Sequence, residues 1–192
     1  MSVIIVDPTE ARDYLNSRSA EIDRTTEVWD GDTVVAPMPN VEHQEIQFGF
    51  FPVLHELVVQ TGLGQVYAGV NVSDRAADWS HNYRCPDIAV FLHANTHAIN
   101  HKTHWQGGPD FLVEIISPGE KPHDKLAFYE SIQTREILIQ HRDPWKLELF
   151  QLRNQSLHLT GTSSLTQAIV LGSGVLPLSF ELGEAFQFDW SE

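Results

Sequence analysis

Two short apolar runs in the middle of the chain constrain its fold most strongly. Residues 88–92 (Ile-Ala-Val-Phe-Leu) and 111–116 (Phe-Leu-Val-Glu-Ile-Ile) are almost continuously hydrophobic, which is the pattern of strands buried on both faces of a sheet. An acid accompanies each run, since Asp87 directly precedes the first and Glu114 interrupts the second. An ionised carboxylate in such surroundings is costly unless it is paired or binds a cation. The sequence therefore predicts a sheet core with two acids that require a partner.

A helix and a hairpin are predicted before these strands. Residues 7–19 have helix-compatible spacing with Pro8 near their start. Asp30-Gly31 separates two strand-like segments, 27–29 and 33–36, and predicts a hairpin because glycine accepts a positive φ without steric cost.

A second helix is expected after Asn40, which can cap it, and we expect Gly49 and Pro52 to kink or split it. One face of this helix holds the apolar residues Ile46, Phe50, Leu54, Leu57 and Val58. Residues 65–72 then alternate like a strand.

The connection between the two apolar runs, residues 91–109, is long and polar. It contains four histidines at spacings near four residues, His93, His97, His101 and His104. Such spacing can align metal ligands. No fixing carboxylate or helix former accompanies them, so the pattern favours a solvated loop.

The second half predicts one further helix and several strands. Pro122 can open a helix that runs to about Ile132, with Lys125 and Tyr129 one turn apart on the same face. Strands are expected at residues 136–140, 146–152 and 156–160, and an apolar tail at residues 175–186 is expected to dock on the core. This order predicts an α/β or α+β fold with a central mixed sheet flanked by helices.

Length and composition place the chain among ordinary globular proteins. Its 192 residues, 42% hydrophobic and 20% charged, predict a single domain over residues 1–192. The apolar stretch at residues 3–6 is too short for a signal peptide or a membrane span, so we expect a cytoplasmic protein with no membrane partner. Cys85 is the one cysteine, which excludes an internal disulfide and favours a small core residue over a nucleophile.

The net charge of −14 argues against a strong nonspecific binder of duplex nucleic acid. The charge is unevenly distributed, however. Residues 75–153 hold 9 Lys or Arg against 10 Asp or Glu, whereas the remainder holds 3 against 16. The segment with Asp87 and Glu114 is therefore close to neutral.

Two acids followed by a lysine are the elements of a metal-dependent phosphodiesterase. Asp87 and Glu114 would bind a hard divalent cation, and the carbonyl of Ile115 could complete the ligand set. Lys125 would neutralise developing charge and orient the attacking water, as a point charge or, if desolvated, a base. On spacing alone a structural interpretation is equally consistent: Asp87 caps a turn, Glu114 pairs with Arg84 or Lys125, and Lys125 is a solvated helix residue.

Three blocks resemble those of the Uma family of putative restriction endonucleases, a branch of the PD-(D/E)xK superfamily. They are residues 84–91 (Arg-Cys-Pro-Asp-Ile-Ala-Val-Phe), 111–118 (Phe-Leu-Val-Glu-Ile-Ile-Ser-Pro) and 125–129 (Lys-Leu-Ala-Phe-Tyr). Weaker similarity extends over most of residues 27–186. The resemblance implies a restriction-endonuclease-like fold and hydrolysis of nucleic acid, with DNA as the expected substrate, magnesium or manganese as cofactor, and a homodimer as the common assembly.

The chain departs from the superfamily pattern at Ile116, where a lysine usually follows the second acid by two residues. The resemblance therefore assigns the lysine role to Lys125 on the next helix, in preference to Lys121, because Tyr129 follows at the family's spacing. The segment His141-Arg142-Asp143-Pro144 also replaces a shorter acidic turn.

Supporting residues are less specific. Glu45 or Glu42 could reach the metal from the first core helix, although a solvated helix face explains them as well. His43 matches a family position, and the Tyr129 hydroxyl can hydrogen-bond near the site. Gln140 lies on an apolar strand, where it either binds a group that supports the site or is a satisfied core amide.

Three functions remain open from the sequence. The first is a metal-dependent nuclease built on Asp87, Glu114 and Lys125. The second is a catalytically silent nuclease-fold module for binding or assembly, which the acidic balance and Ile116 favour. The third is a hydrolase of another phosphodiester.

Overall fold

A computed structural model of the protein describes the backbone of residues 3–5 and, in full, residues 26–35, 38–116 and 121–183. The helix predicted at residues 7–19 and the end of the predicted tail lie outside the described residues. The strands, in chain order, are β1 (Val3–Ile5), β2 (Thr26–Trp29), β3 (Asp32–Val35), β4 (Gly64–Ala68), β5 (Val72–Ser73), β6 (Tyr83–Arg84), β7 (Ile88–Leu92), β8 (Ile99–Asn100), β9 (Trp105–Gln106), β10 (Phe111–Ile116), β11 (Glu136–Arg142), β12 (Trp145–Arg153), β13 (Ser156–Ser164), β14 (Leu171–Gly172) and β15 (Ser179–Phe180).

The helical elements are α1 (Val41–His55), which continues into a π-helical turn (Glu56–Gln60), and α2 (Leu126–Ser131), which follows a 3-10 turn (Pro122–Lys125). A further 3-10 turn covers Trp79–His81. Within the described ranges, no helix has both the length and the hydrophobicity needed to span a bilayer.

The central element is a six-stranded mixed sheet in the order β13-β12-β11-β10-β7-β4. Strands β10 and β11 are parallel and the other neighbours are antiparallel. A parallel pair requires a crossover, and the 3-10 turn with α2 supplies it. The apolar runs at β7 and β10 are buried strands, as predicted.

Helices cover both faces of this sheet. Leu54 and Val58 of α1 and its π-helical turn pack on one face, together with the tail residues Leu176 and Phe180. Phe128, Tyr129 and Ile132 in and after α2 pack on the other face. The predicted central mixed sheet flanked by helices is confirmed, as is the docking of the described part of the tail.

A second sheet, in the order β1-β3-β2-β6-β5-β9-β8, was not predicted. Some of its strands come from two segments for which the sequence predicts other structures, a single strand at residues 65–72 and a loop at residues 91–109. The single strand predicted at residues 65–72 is wrong, because the chain turns at Gly69 (φ 62°) and divides into β4 and β5 in different sheets. The expected loop at residues 91–109 contains the short β8 and β9.

The hairpin formed by β2 and β3 is confirmed. Asp30 and Gly31 both have positive φ, 50° and 97°, as a tight two-residue turn between twisted strands requires. Gly31 also lies against the His81 ring, where an added Cβ would be 2.8 Å from Cε1.

Helix α1 begins at the predicted cap, where the Asn40 side chain accepts a hydrogen bond from the His43 amide. Of the kink or split expected at Gly49 and Pro52, the split is absent, because α1 is continuous from Val41 to His55. Pro52 is exposed, so water can solvate the carbonyl that its missing N–H leaves unpaired, and the π-helical turn begins at Glu56.

Candidate active site

Asp87 and Glu114 are brought together by the pairing of β7 with β10. The paired residues are Phe111 with Val90, Leu112 with Ala89, and Val113 with Ile88. Asp87 directly precedes Ile88 and Glu114 directly follows Val113, so the two acids lie at the same end of this pairing.

The Asp87 carboxylate is fixed from two directions. Nε2 of His43 lies 2.8 Å from Oδ1, and the amide of Ile115 donates to Oδ2 at 2.7 Å. The side-chain amide of Gln47 donates to the Asp87 carbonyl at 2.7 Å. The first turns of α1 and the backbone of β10 therefore position this acid, with His43 in direct contact with its carboxylate.

Glu114 is enclosed, with 4% of its surface exposed. Its Oε1 accepts a hydrogen bond from the Tyr129 hydroxyl, and Nζ of Lys125 lies 3.2 Å from Oε2. Burial raises the pKa of Glu114 to about 7, and the charges of Asp87 and Glu27 add to this, while Lys125 and Tyr129 oppose it. Burial is thus the main reason that the charged form of Glu114 is costly, and Lys125 is the largest single charge that offsets this cost.

Lys125 lies between two acids. Its Nζ is 2.9 Å from Oε1 of Glu27 and 3.2 Å from Oε2 of Glu114. Burial by itself would lower the pKa of Lys125, but the charges of Glu114 and Glu27 outweigh it and raise the pKa. The ammonium group is therefore protonated at neutral pH, and of the two roles considered for Lys125 the geometry favours the point charge over the base.

Glu27 is a site residue that the sequence interpretation missed. It is buried, and besides Lys125 it accepts hydrogen bonds from the Trp29 indole at 2.9 Å and from the Cys85 amide at 2.9 Å. A signal was present, because Glu27 is an acid within a segment predicted as a strand, which is the argument that singled out Glu114. The second sheet that brings β2 to this place was not predicted.

Arg84 lies beside this group but does not replace Lys125. Its guanidinium lies over the rings of Trp29 and Phe128, 4.5 and 4.2 Å from their centroids, and donates to the Val28 carbonyl at 2.9 Å. Burial lowers the pKa of Arg84. Of the two partners considered for Glu114, the structure pairs it with Lys125.

In the part of the chain that the structure describes, no hydrogen bond joins Asp87 or Glu114 to the two helix acids that the sequence offers as further ligands. Glu45 is exposed on α1. Glu42 pairs with Arg142 at 3.0 Å, and Arg142 also donates to the carbonyl of Ile116 and to the side chain of Asn40. The segment that replaces a shorter acidic turn thus ties the end of β11 to the start of α1.

Gln140 and the loop histidines have structural contacts. The Gln140 side chain donates to the His141 carbonyl at 2.8 Å, as expected of a satisfied core amide. His104 stacks on Trp79 and on His101, with ring centroids 4.8 and 4.6 Å away. Among the described residues, the loop histidines belong to no cluster of three metal-ligating groups.

The fold and this group of residues define a nuclease-like protein: a mixed sheet between helices, with two acids at adjoining strand ends and a lysine on the crossover that follows the second. The chain belongs to the Uma2 family, described as "Putative restriction endonuclease", whose family model matches residues 11–183.

A solved structure supports the same fold. It is the crystal structure of "a putative nuclease belonging to DUF820 from Anabaena variabilis ATCC 29413", to which the chain is similar with a TM-score of 0.59 and 17% identity. The match covers 77% of this chain and 82% of that chain. No curated protein matches the chain.

Proposed function

We propose that the protein is a metal-dependent endonuclease that hydrolyses phosphodiester bonds in DNA. The observation that carries the proposal is the position of Lys125, whose ammonium group lies 3.2 Å from the carboxylate of Glu114 on the strand paired with that of Asp87. A phosphodiesterase needs a cation site, a charge that stabilises the phosphorane-like transition state, and a means to orient water. These three residues provide the side chains for each requirement.

The residues fit a hard divalent cation such as Mg²⁺ or Mn²⁺. An ionised carboxylate oxygen accepts at more than one position, so the Asp87 oxygens retain capacity beside their contacts with His43 and Ile115. Ile115 lies beside Asp87, to which its amide donates, and its carbonyl would act as the predicted third ligand. The raised pKa of Glu114 supports the assignment, because burial makes the charged carboxylate costly and a bound cation would compensate that charge.

When bound, the cation would polarise the scissile phosphate and acidify a water molecule. Asp87, which His43 and Ile115 hold in place, would bind the cation, and Glu114 would be the second carboxylate ligand. Lys125 would donate to a nonbridging phosphate oxygen or to the attacking water, and Glu27 would hold its ammonium group in place. Tyr129 would keep Glu114 in its rotamer.

Residues 75–153 are close to neutral, whereas the rest of the chain is strongly acidic. We therefore expect DNA to contact the protein mainly through this central segment. We propose that the chain acts as a homodimer, as the family resemblance implies, and that it does so in the cytoplasm, a reducing compartment that its one cysteine fits. A dimer would provide a cut in each strand of a duplex from two equivalent sites.

A second candidate is a nuclease-fold binding module without activity. The contacts of the two acids favour it, since Asp87 and Glu114 already have protein donors in His43, Ile115, Lys125 and Tyr129. The absence of a lysine at Ile116 favours it as well.

Cleavage of labelled single-stranded, duplex and branched DNA with Mg²⁺ or Mn²⁺ separates the two candidates. We expect cleavage by the parent protein and a loss of about 100-fold or more in Glu114→Gln, a change that retains the side chain's shape. Glu56→Gln is the matched control, because Glu56 is exposed on the π-helical turn. Activity that persists in Glu114→Gln, or no cleavage of any substrate by a folded parent, contradicts the nuclease proposal.

A further inference from the structure

Three side chains outside the Asp87–Glu114 group converge on one point of the central sheet. His123 comes from the 3-10 turn, His141 from β11 and Glu148 from β12. Nε2 of His123 and Nε2 of His141 lie 3.0 and 2.8 Å from the same oxygen of Glu148, Oε2. The three ligand atoms all lie within 4.8 Å of one another.

We propose that His123, His141 and Glu148 form a binding site for a divalent transition metal of the Zn²⁺ class. Two imidazoles and one carboxylate are a ligand set that zinc uses when a fourth position stays open to water. With metal–ligand bonds of about 2.0 to 2.2 Å, the ligand atoms of a tetrahedral site are about 3.3 Å apart. The two His–Glu148 distances, 3.0 and 2.8 Å, are thus close to those of a bound site, and the two imidazole nitrogens lie within 4.8 Å of each other.

The surroundings of Glu148 favour the ionised ligand. Its side chain is 8% exposed, and Nζ of Lys146 lies 2.8 Å from Oε1, which leaves Oε2 directed at the two histidines. The side chain of His123 is 53% exposed, so the cluster is open to solvent on that side.

This site is distinct from the proposed catalytic cation site. Glu114 pairs with Ile139 across β10 and β11, and Ile139 pairs with Glu148 across β11 and β12. Two steps of about 4.8 Å between strands separate the acids by about 10 Å. The two proposed sites therefore use different acids and share no ligand.

The location gives the metal a structural effect. His123 is two residues before Lys125 in the same 3-10 turn, whereas His141 and Glu148 are fixed in the sheet. A metal held by all three would clamp this turn to β11 and β12. Occupancy would therefore restrict the motion of the turn that carries Lys125.

Titration of the chelator-treated protein with Zn²⁺ and Co²⁺ tests the site. We expect saturable Zn²⁺ binding and the visible absorption of four-coordinate Co²⁺. Because loss of a group that merely orients a ligand costs about 10- to 100-fold in affinity, His123→Ala should weaken binding by about 100-fold or more. His123 is exposed, so this variant should fold. Glu148→Gln, which removes the carboxylate ligand, should also weaken Zn²⁺ binding.

His158→Ala is the matched control, because His158 is an exposed histidine on β13. It should bind Zn²⁺ as the parent does. The site is overturned if the folded parent shows no saturable binding, or if His123→Ala binds as tightly as the parent. Hydrogen exchange at the amides of Asp124 and Lys125 should slow when Zn²⁺ binds, and unchanged exchange at saturation contradicts the clamp.

Discussion

The backbone amide of Ile115 donates a 2.7 Å hydrogen bond to Oδ2 of Asp87. The acid that precedes β7 is thereby attached to the residue that follows Glu114 in β10. Because the donor belongs to the sheet backbone, the strand fixes the position of the Asp87 carboxylate and restricts its side-chain rotamers. His43 completes the attachment from α1, so a sheet and a helix together fix one carboxylate.

Removal of the Lys125 charge should destabilise the protein. Glu114 and Glu27 are buried, and breaking a buried ion pair by removing one partner costs about 3 to 5 kcal/mol. Urea unfolding of Lys125→Met measures this loss. The exposed Lys121 provides the control, since Lys121→Met should change the free energy of unfolding by no more than about 0.5 kcal/mol. Equal stabilities of the two variants would show that Lys125 does not neutralise these acids.

Cys85 should be unreactive in the folded protein. Burial, followed by the charge of Glu27, raises the pKa of its thiol from 9.0 to about 12. Three pKa units reduce the thiolate fraction about 1000-fold below pH 9, and the thiolate is the reactive form. Alkylation should therefore be about 1000-fold slower in the folded than in the unfolded protein and should increase tenfold per pH unit.

The variant Glu27→Gln isolates the contribution of the carboxylate to this effect. Removal of its charge lowers the pKa of the Cys85 thiol and should accelerate alkylation of the folded protein. Alkylation rates of the folded and unfolded parent that agree within about tenfold would contradict the raised pKa of the Cys85 thiol.

His43 should govern the affinity of the proposed cation site. Its imidazole orients Asp87 without being a proposed ligand, and removal of such a group costs about 10- to 100-fold in metal affinity. We expect this loss of Mn²⁺ affinity in His43→Ala, with cleavage partly restored at high metal concentration. His55→Ala on the same helix is the control. Equal affinity of both variants would limit His43 to a packing role.

The acids of the site were predictable because they violate a strong local pattern. Asp87 and Glu114 adjoin or interrupt runs that otherwise define buried strands, and Lys125 follows a helix start at Pro122. Burial, strand identity and the parallel crossover follow from short-range patterns of this kind.

The partner of Lys125 was not predictable in the same way. Glu27 reaches the site because β2 pairs with β6 through Val28 and Tyr83, a contact between distant segments made by very short strands. Strands of two residues carry almost no periodicity, so β5, β6, β8 and β9 left no recognisable pattern. The convergence of His123, His141 and Glu148 likewise depends on the β11–β12 register and the position of the 3-10 turn.

Calorimetric titration with Mg²⁺ tests the central claim most directly, since magnesium selects oxygen ligands over the imidazoles of the second cluster. The parent and Asp32→Asn, which removes an exposed acid from β3, should bind Mg²⁺ equally. Asp87→Asn removes the same charge at the proposed site while retaining an oxygen for the Ile115 amide, and it should show no saturable binding. Binding by folded Asp87→Asn that equals the parent's would contradict the assignment of Asp87 and Glu114 as a cation site.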